Sequence, residues 1–298
     1  MSLSLLSGNF FVTADGMISL MSTETSLIEK HGSYAAMKIN LKNKSVKLSM
    51  DDDNDDDDDD NPVGYSVSDK GLAIISIAGT TRADASWLTR ICGIPTYTDI
   101  KLRFQQAYQD QNVKMVMMDI NSPGGQANGT NAMSDFISNF SSKLKPVVAY
   151  TSGCCCSAAL WYATAGMAFS ADTDADIGSV GCVNVFISQA RAMKENGLDV
   201  TVTRSGPFKM VPNPYEKLDA KGQEVLTEEV NRWYGRFVNG LSANLDQTPQ
   251  KIMANLGSGK VFSAQQALNL GLVKSLISRE QLIANLNAKL DNDSRLGR

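Results

Sequence analysis

Histidine is almost absent from this sequence: His31 is the single histidine among 298 residues. It lies in the N-terminal segment, before a run of aspartates and far from any turn that carries small or nucleophilic residues. Ser-His-Asp triads and Cys-His pairs both need an imidazole positioned beside the nucleophile. The sequence therefore disfavours both kinds of site, and we interpret His31 as an incidental surface residue.

Cysteine is scarce and poorly spaced for a structural role. An odd count with three in a row does not suggest a disulfide framework, and no CxxC pair provides metal-ligand spacing. We therefore expect a reducing, cytoplasmic compartment and neither a metal nor a cofactor. The five cysteines are Cys92, Cys154, Cys155, Cys156 and Cys182.

Membrane signals are also weak. Residues 1–16 lack the basic segment and the long apolar run of a signal peptide. Nothing between Lys145 and Asp172 is charged, and that length could cross a bilayer. Pro146 and Gly153 interrupt it, however, and divide it into a strand, a turn and a helix. We predict a buried strand and helix here rather than a membrane span.

The net charge of −4 conceals an asymmetry. Nine of the 32 acidic residues lie in residues 51–60, which leaves 23 acidic against 28 basic residues elsewhere. That excess is too small to indicate nucleic-acid binding. Closely spaced aspartates repel one another and bury nothing, so we predict an extended, solvated linker over residues 51–62. A divalent-cation site and an electrostatic mimic of nucleic acid are the functional alternatives for this run.

The linker divides the chain into segments of different character. Residues 1–50 are an N-terminal segment of unknown role, with β-like runs at 35–41 and 45–50. Residues 63–290 have the regular pattern of one folded domain. The polar tail, residues 291–298, is expected to fray.

Strands alternate with helices through the first part of this domain. Apolar runs predict strands at residues 72–78, 113–120 and 146–150, and shorter ones at 167–171 and 200–204. Helical spacing lies between them, at residues 100–108, 127–140 and 156–165. This alternation predicts an α/β fold with a largely parallel sheet.

The C-terminal third is predicted to be helical. Apolar residues over 230–241 form a stripe at helical spacing, which either packs on the core of the chain or contacts a second copy. Thr248, Ser263 and Ser278 each have the position of a helix N-cap, the last two with a glutamine three residues later. Gly271 is placed to end the helix that starts near Ser263.

Two turns that follow predicted strands are rich in small residues. Residues 121–125, Asn-Ser-Pro-Gly-Gly, can turn tightly and direct the N–H groups of Gly124 and Gly125 into a cleft. Residues 151–159 place Ser157 near a helix N-terminus, where backbone donors favour a developing anion. Alternatively, Ser157 only caps the helix, or Cys156 is the nucleophile without its usual histidine.

A lysine could replace the missing imidazole. Lys209 lies between apolar neighbours in a loop rich in glycine and proline, residues 204–215. Burial would disfavour its ammonium form, and a neutral lysine near Ser157 could take the hydroxyl proton. The alternative is that Lys209 extends from the loop into solvent.

Four of these motifs occur in an order that resembles a known family. NSPGG, CSAALWYA, IGSVG and SGPFK followed by NPY are similar to the S49 peptidases of the signal peptide peptidase A type. The similarity is stronger still to the capsid assembly proteases of lambda-like tailed phages, and it extends over residues 71–277. It implies a Clp-protease/crotonase-like fold and a serine endopeptidase with a Ser-Lys pair.

The resemblance also implies roles for single residues. Ser157 takes the place of the nucleophile and Lys209 that of the general base. Gly124, Gly125 and the Ala158 amide take the place of the oxyanion hole. The glycine-containing turn that shapes the cleft falls on Gly178, Ser179 and Gly181, with Ser179 positioned to hydrogen-bond the lysine.

The implied role is the processing of scaffold or portal-associated proteins inside a phage procapsid, in the cytoplasm of the host. Protein or peptide substrates, a homo-oligomer, and no nucleic-acid or membrane partner are expected. Alternatives are a soluble signal-peptide-peptidase-like enzyme, a catalytically idle capsid assembly protein and a crotonase-type acyl-CoA enzyme. The cysteine run and residues 1–62 depart from the family pattern.

Overall fold

The structure, a computed structural model, describes residues 9–12, 64–85, 89 and 93–296. The predictions for His31, for the β-like runs and for the aspartate linker lie outside these residues. The described strands are β1 (Asn9–Val12), β2 (Ser66–Val67), β3 (Leu72–Ala78), β4 (Met115–Asn121), β5 (Gly124–Gln126), β6 (Val147–Thr151), β7 (Cys154–Cys156), β8 (Ala168–Ala171), β9 (Asp176–Gly178), β10 (Val183–Asn184), β11 (Val261–Ser263) and β12 (Ser275–Leu276). The described helices are α1 (Tyr97–Gln109), α2 (Thr130–Lys143), α3 (Ala158–Ala163), α4 (Ala190–Glu195), α5 (Ala220–Leu245), α6 (Pro249–Leu256), α7 (Ala264–Asn269) and α8 (Arg279–Arg295).

The central sheet has six strands in the order β12-β8-β6-β4-β3-β2. All pair in parallel except β2, which is antiparallel to β3. Helices connect the successive parallel strands, because a parallel crossover must return the chain to the same end of the sheet. The predicted α/β class is confirmed.

Helices cover both faces of this sheet, and the side chains of β4 alternate between them. Val116, Met118 and Ile120 join the main core with α1, α2 and α3. Met115 and Met117 join a smaller core with Leu290 of α8. This period of two is the geometry of a strand, and burial on both faces explains its nearly continuous apolar sequence.

Two three-stranded sheets lie beyond the central one. In the first, β9 pairs in parallel with β7 and antiparallel with β11. In the second, β1 lies between β10 and β5 and is antiparallel to both. These small sheets carry the glycine turn and the strand that leads to Ser157.

The C-terminal helices follow their capping signals. Thr248 and Ser278 accept hydrogen bonds from backbone N–H groups three residues later, and Ser263 forms a reciprocal capping box with Gln266. Gly271 follows the end of α7 with a positive φ of 75°. The predicted N-caps and the helix end at Gly271 are confirmed, but the reciprocal box predicted at Ser278 is not formed, since the Gln281 side chain donates to Asn285.

The apolar stripe of α5 packs on the chain itself. Phe237, Val238 and Leu241 are buried, and the Phe237 ring stacks on Trp161 of α3 with centroids 5.2 Å apart. Of the two alternatives for the stripe, packing on the core is therefore the correct one for these residues.

Three predictions of secondary structure are wrong. Residues 200–204 form no strand, because no neighbouring strand is placed to pair with them among the described residues. The helix predicted over residues 156–165 begins only at Ala158, since Cys154–Cys156 form strand β7 and pair with β9. The chain also does not fray after Leu290: α8 continues to Arg295, and Asp291 pairs with Lys70 at 3.0 Å.

Candidate active site

Ser157 lies at the turn between β7 and α3. Its dihedral angles, φ 53° and ψ −119°, fall in a region that residues other than glycine rarely adopt. Its N–H donates to the Gly178 carbonyl at 2.7 Å, and its carbonyl accepts from the Trp161 N–H at 3.1 Å. A serine on a sharp, strained strand-to-helix turn is the arrangement that presents a nucleophile in the α/β hydrolases.

The hydroxyl of Ser157 has no structural task in the described chain. The residue is fully buried, and its Oγ has no hydrogen-bond partner among the described residues. Although Ser157 is the N-cap of α3, its side chain makes no capping hydrogen bond. Leaving a buried hydroxyl unpaired costs about 1–3 kcal/mol. The interpretation of Ser157 as only a helix cap is therefore wrong.

The turn at residues 121–125 is joined directly to the strand that leads to Ser157. The Ser122 N–H donates to the Cys154 carbonyl at 2.6 Å, and the Cys156 N–H donates to the Ser122 carbonyl at 3.0 Å. The structure thus brings together the two turns rich in small residues, 121–125 and 151–159, which are separate in the sequence. Ser122 was missed in the sequence, although a serine directly after a buried strand is a signal for such a link.

The paired glycines have different surroundings. Gly124 has a positive φ of 116°, and its N–H donates to Ser122 Oγ at 3.2 Å, so it is not a free donor here. A Cβ on Gly125 would lie 2.1 Å from Thr81 Oγ1 and 2.2 Å from the Thr81 carbonyl oxygen. Only glycine allows this approach of the two backbones.

The predicted cleft-shaping residues also adjoin Ser157. Gly178 accepts the Ser157 N–H and has a φ of 138°, and a Cβ there would lie 2.6 Å from the Lys260 carbonyl oxygen. Ser179 has a φ of 56°, and its N–H donates to the same carbonyl at 2.7 Å. Gly181 is less constrained, since a Cβ there would be 4.0 Å from its nearest neighbour.

Cys156 is a poor candidate for the nucleophile. Its side chain is buried, and its thiol lies 3.6 Å from the Asp176 carbonyl oxygen. A hydrogen bond with Cys154, together with burial, raises the pKa of the Cys156 thiol. Because the thiolate is the reactive form, this environment suppresses nucleophilic chemistry at the sulfur.

No hydrogen bond joins Lys209 to Ser157 in the described chain. Lys209 is exposed, in the irregular loop between α4 and α5, so the expected burial is not observed. The Lys209 N–H donates to the Gly206 carbonyl at 3.1 Å. The Lys209 carbonyl accepts a hydrogen bond from Arg204 Nε at 3.0 Å. Neither the Lys209 amine nor the Ser179 hydroxyl has a hydrogen-bond partner in the described part, so the expected bond between them is not formed.

The described residues contain no cluster of three His, Cys, Asp or Glu side chains that could bind a metal ion. Within the same ranges, no helix is long and apolar enough to cross a bilayer.

Comparison with known proteins identifies the family of this chain. The profile of peptidase family S49 matches residues 139–292, which is more than half of the chain, and the chain belongs to that family. The match includes Ser157 and Lys209 and begins after Gly124 and Gly125.

Three relatives illustrate the range of similar proteins. Capsid assembly protease C of Escherichia phage lambda is 27% identical over 221 residues, which are 74% of this chain and 50% of the phage protein. Head-tail preconnector protein GP5 of Enterobacteria phage P21 is 28% identical over 228 residues, 76% of this chain and 45% of that protein. Protease 4 of Haemophilus influenzae is 23% identical over 219 residues, 74% of this chain and 34% of the protease. The chain thus spans about half the length of the two phage proteins.

Proposed function

We propose that this protein is a serine endopeptidase in which Ser157 is the nucleophile and Lys209 the general base. One observation carries the proposal: Ser157 Oγ is buried and unpaired on a strained strand-to-helix turn, in a chain of the S49 family. The proposed arrangement is Clp-protease/crotonase-like, with residues 63–290 as the peptidase domain. Failure of the purified protein to cleave unfolded casein would contradict this function.

The proposed mechanism is acyl transfer. Ser157 Oγ gives its proton to Lys209 Nζ and attacks the peptide carbonyl carbon, and the carbonyl electrons move to the oxygen. The backbone N–H groups of Gly125 and Ala158 stabilise this oxyanion, because Ala158 is the first residue of α3 and its N–H has no helical acceptor. The tetrahedral intermediate expels the amine, which takes the proton from Lys209, and water then releases the acyl group by the reverse sequence.

This mechanism requires that Lys209 leave the solvent. Six large apolar side chains of residues 185–219 are exposed as well, which is unusual for a segment that folds alone. We propose that a second copy of the chain covers this segment in a homo-oligomer and excludes water from Lys209. The six are Ile187, Leu198, Val200, Phe208, Met210 and Tyr215.

Leu198→Ser is expected to weaken this assembly and, with it, the peptidase activity. Leu198 is 56% exposed, so the substitution removes apolar surface without opening the core. Light scattering with size exclusion should show smaller particles than the wild type forms at equal concentration. Leu102→Ser is the matched control, because Leu102 of α1 is 52% exposed and outside the segment. Equal particle sizes for both variants would contradict the assembly.

Lys209→Met is expected to lower kcat for peptide cleavage by about 10²–10⁴-fold, the usual contribution of a general base. Methionine keeps an unbranched chain but has no amine. Lys217→Met is the control, since Lys217 is an exposed lysine of the same loop. If both variants cleave at the wild-type rate, Lys209 is not the base.

The proposed substrates are scaffold or portal-associated proteins of a phage procapsid, in the cytoplasm of the host. Two phage relatives support this, since their names describe a capsid assembly protease and a head-tail preconnector. Similarity to Protease 4 supports the second candidate, a cellular peptidase that degrades peptides such as signal-peptide remnants. Co-expression with the head genes of a phage would separate the two, because only the first candidate cleaves a head protein at a defined position.

A further inference from the structure

The strand β1 occupies an unusual place for a segment so far away in sequence. It is the middle strand of its sheet, with Phe10 opposite Val183 of β10 on one side and Gln126 of β5 on the other. Phe11 and Val12 lie opposite Gly125 and Gly124. The next described residue after Val12 is Gly64. A short N-terminal strand therefore covers the two glycines of the candidate oxyanion turn.

Both neighbours of β1 are connected to Ser157 within a few residues. On one side, β5 begins two residues after Ser122, which bonds the backbone of β7. On the other side, β10 follows β9, whose last residue, Gly178, accepts the Ser157 N–H through its carbonyl. The space that β1 fills therefore adjoins the candidate active site on both sides.

That space has the dimensions of one extended peptide. Neighbouring strands lie about 4.8 Å apart, so β5 and β10 are separated by about 10 Å across β1. Without β1, each would present an unpaired backbone edge to the other. Peptides of many sequences can add a strand to such edges, because backbone hydrogen bonds supply the affinity and side-chain pockets supply the selectivity.

Phe10 identifies one such pocket. It is fully buried, and the Arg82 guanidinium lies 5.7 Å from the centroid of its ring. Arg82 belongs to the same edge as Thr81, whose N–H donates to the Gly124 carbonyl at 2.9 Å. A cation facing an aromatic ring favours Phe, Tyr or Trp over an aliphatic side chain at this position.

We propose that the space between β5 and β10 binds an extended peptide with an aromatic side chain, and that Asn9–Val12 of the same chain occupies it until such a peptide displaces them. The burial of Ser157 Oγ agrees with this closed state, since an enclosed hydroxyl meets no substrate. The identity of the displacing peptide as a substrate rests on the proposed function. The site itself does not.

The test measures binding in full-length proteins that carry Ser157→Ala, so that no peptide is cut. The probe is a fluorescein-labelled peptide with the sequence of residues 7–14, SGNFFVTA, followed by fluorescence anisotropy. Adding Phe10→Asp should lower the Kd by about 10-fold or more, because the competing strand then leaves the site more often. Adding Leu144→Asp, the same charge change at an exposed leucine of α2's C-terminus, should leave the Kd unchanged.

Two further measurements test the proposal without relying on the Phe10→Asp variant. A probe with Asp in place of its first Phe should bind about 10-fold more weakly if the pocket accepts an aromatic ring. In the Ser157→Ala protein, excess unlabelled peptide should speed hydrogen exchange at the amides of residues 10–12 and leave β3 protected. This second measurement needs no change to β1.

Equal affinity of the Phe10→Asp and Leu144→Asp forms, with no change in exchange at residues 10–12, would overturn the proposal. That result would leave the peptidase function standing if wild-type protein cleaves casein. Conversely, if the Kd falls as expected and no protein with Ser157 intact cleaves any peptide, the strand site stands and the peptidase function fails.

Discussion

Ser157→Ala is expected to reduce kcat/KM for peptide cleavage by at least about 10³-fold while the protein stays folded. The substitution removes the atom that would form the acyl-enzyme. It also removes a buried oxygen that has no hydrogen-bond partner, so the free energy of unfolding should rise or stay the same. Casein cleavage and thermal unfolding of the same preparations would measure the two effects. This combination of lost activity and retained stability is expected of a nucleophile and not of a structural serine.

Two control variants separate this result from general damage. Ser170→Ala removes another buried serine hydroxyl, on β8, which pairs with Ser275 Oγ at 3.0 Å. It should lower stability by about 1 kcal/mol and leave kcat/KM within a few-fold of wild type. Cys156→Ala should likewise retain activity, because the surroundings of that thiol raise its pKa and suppress the reactive thiolate. Full activity of Ser157→Ala, or loss of activity only in Cys156→Ala, would refute the assignment.

Gly125→Ala is expected to abolish activity and to lower the free energy of unfolding by about 1–3 kcal/mol. The added methyl would overlap both the hydroxyl and the carbonyl of Thr81. Relief requires β5 to move away from Thr81, which would shift the candidate oxyanion donor and the strand that carries it. Chemical unfolding and peptidase assays would detect the two consequences together.

Gly235→Ala is the matched control for this glycine. Gly235 lies within α5, and no atom is within 4 Å of the position of an added Cβ. Alanine should therefore stabilise that helix by up to about 1 kcal/mol and leave activity unchanged. If Gly125→Ala behaves like Gly235→Ala, the close approach to Thr81 has no energetic importance.

Local sequence predicted much of the scaffold. The strand at 72–78 has the bounds that the apolar run indicated, and Thr248, Ser263 and Ser278 cap their helices as expected. These features depend on periodicity and on contacts within a few residues, which a sequence displays directly. Residues 200–204 show the limit of such patterns, because β-like alternation forms no strand without a partner.

The candidate site was predictable only in pieces. Sequence motifs singled out the glycine turn at 121–125 and the serine turn at 151–159, and the structure brings these two together through Ser122. Lys209 was singled out by the same reasoning, yet it is exposed in the described chain. Burial of a loop residue depends on what covers it, which is not encoded in the residues next to it.

The sequence by itself determined three things about this protein. The single histidine, far from any candidate nucleophile, disfavoured active sites that need an imidazole. The alternation of strands and helices predicted an α/β fold. Four motifs in a characteristic order indicated the S49 family. Tertiary structure alone decided that Ser157 is strained and buried with no capping bond from its side chain, and that Asn9–Val12 lie between β5 and β10. The physical reason is that strain, burial and strand pairing arise from contacts between segments far apart in the chain, whereas periodicity and caps arise within one segment.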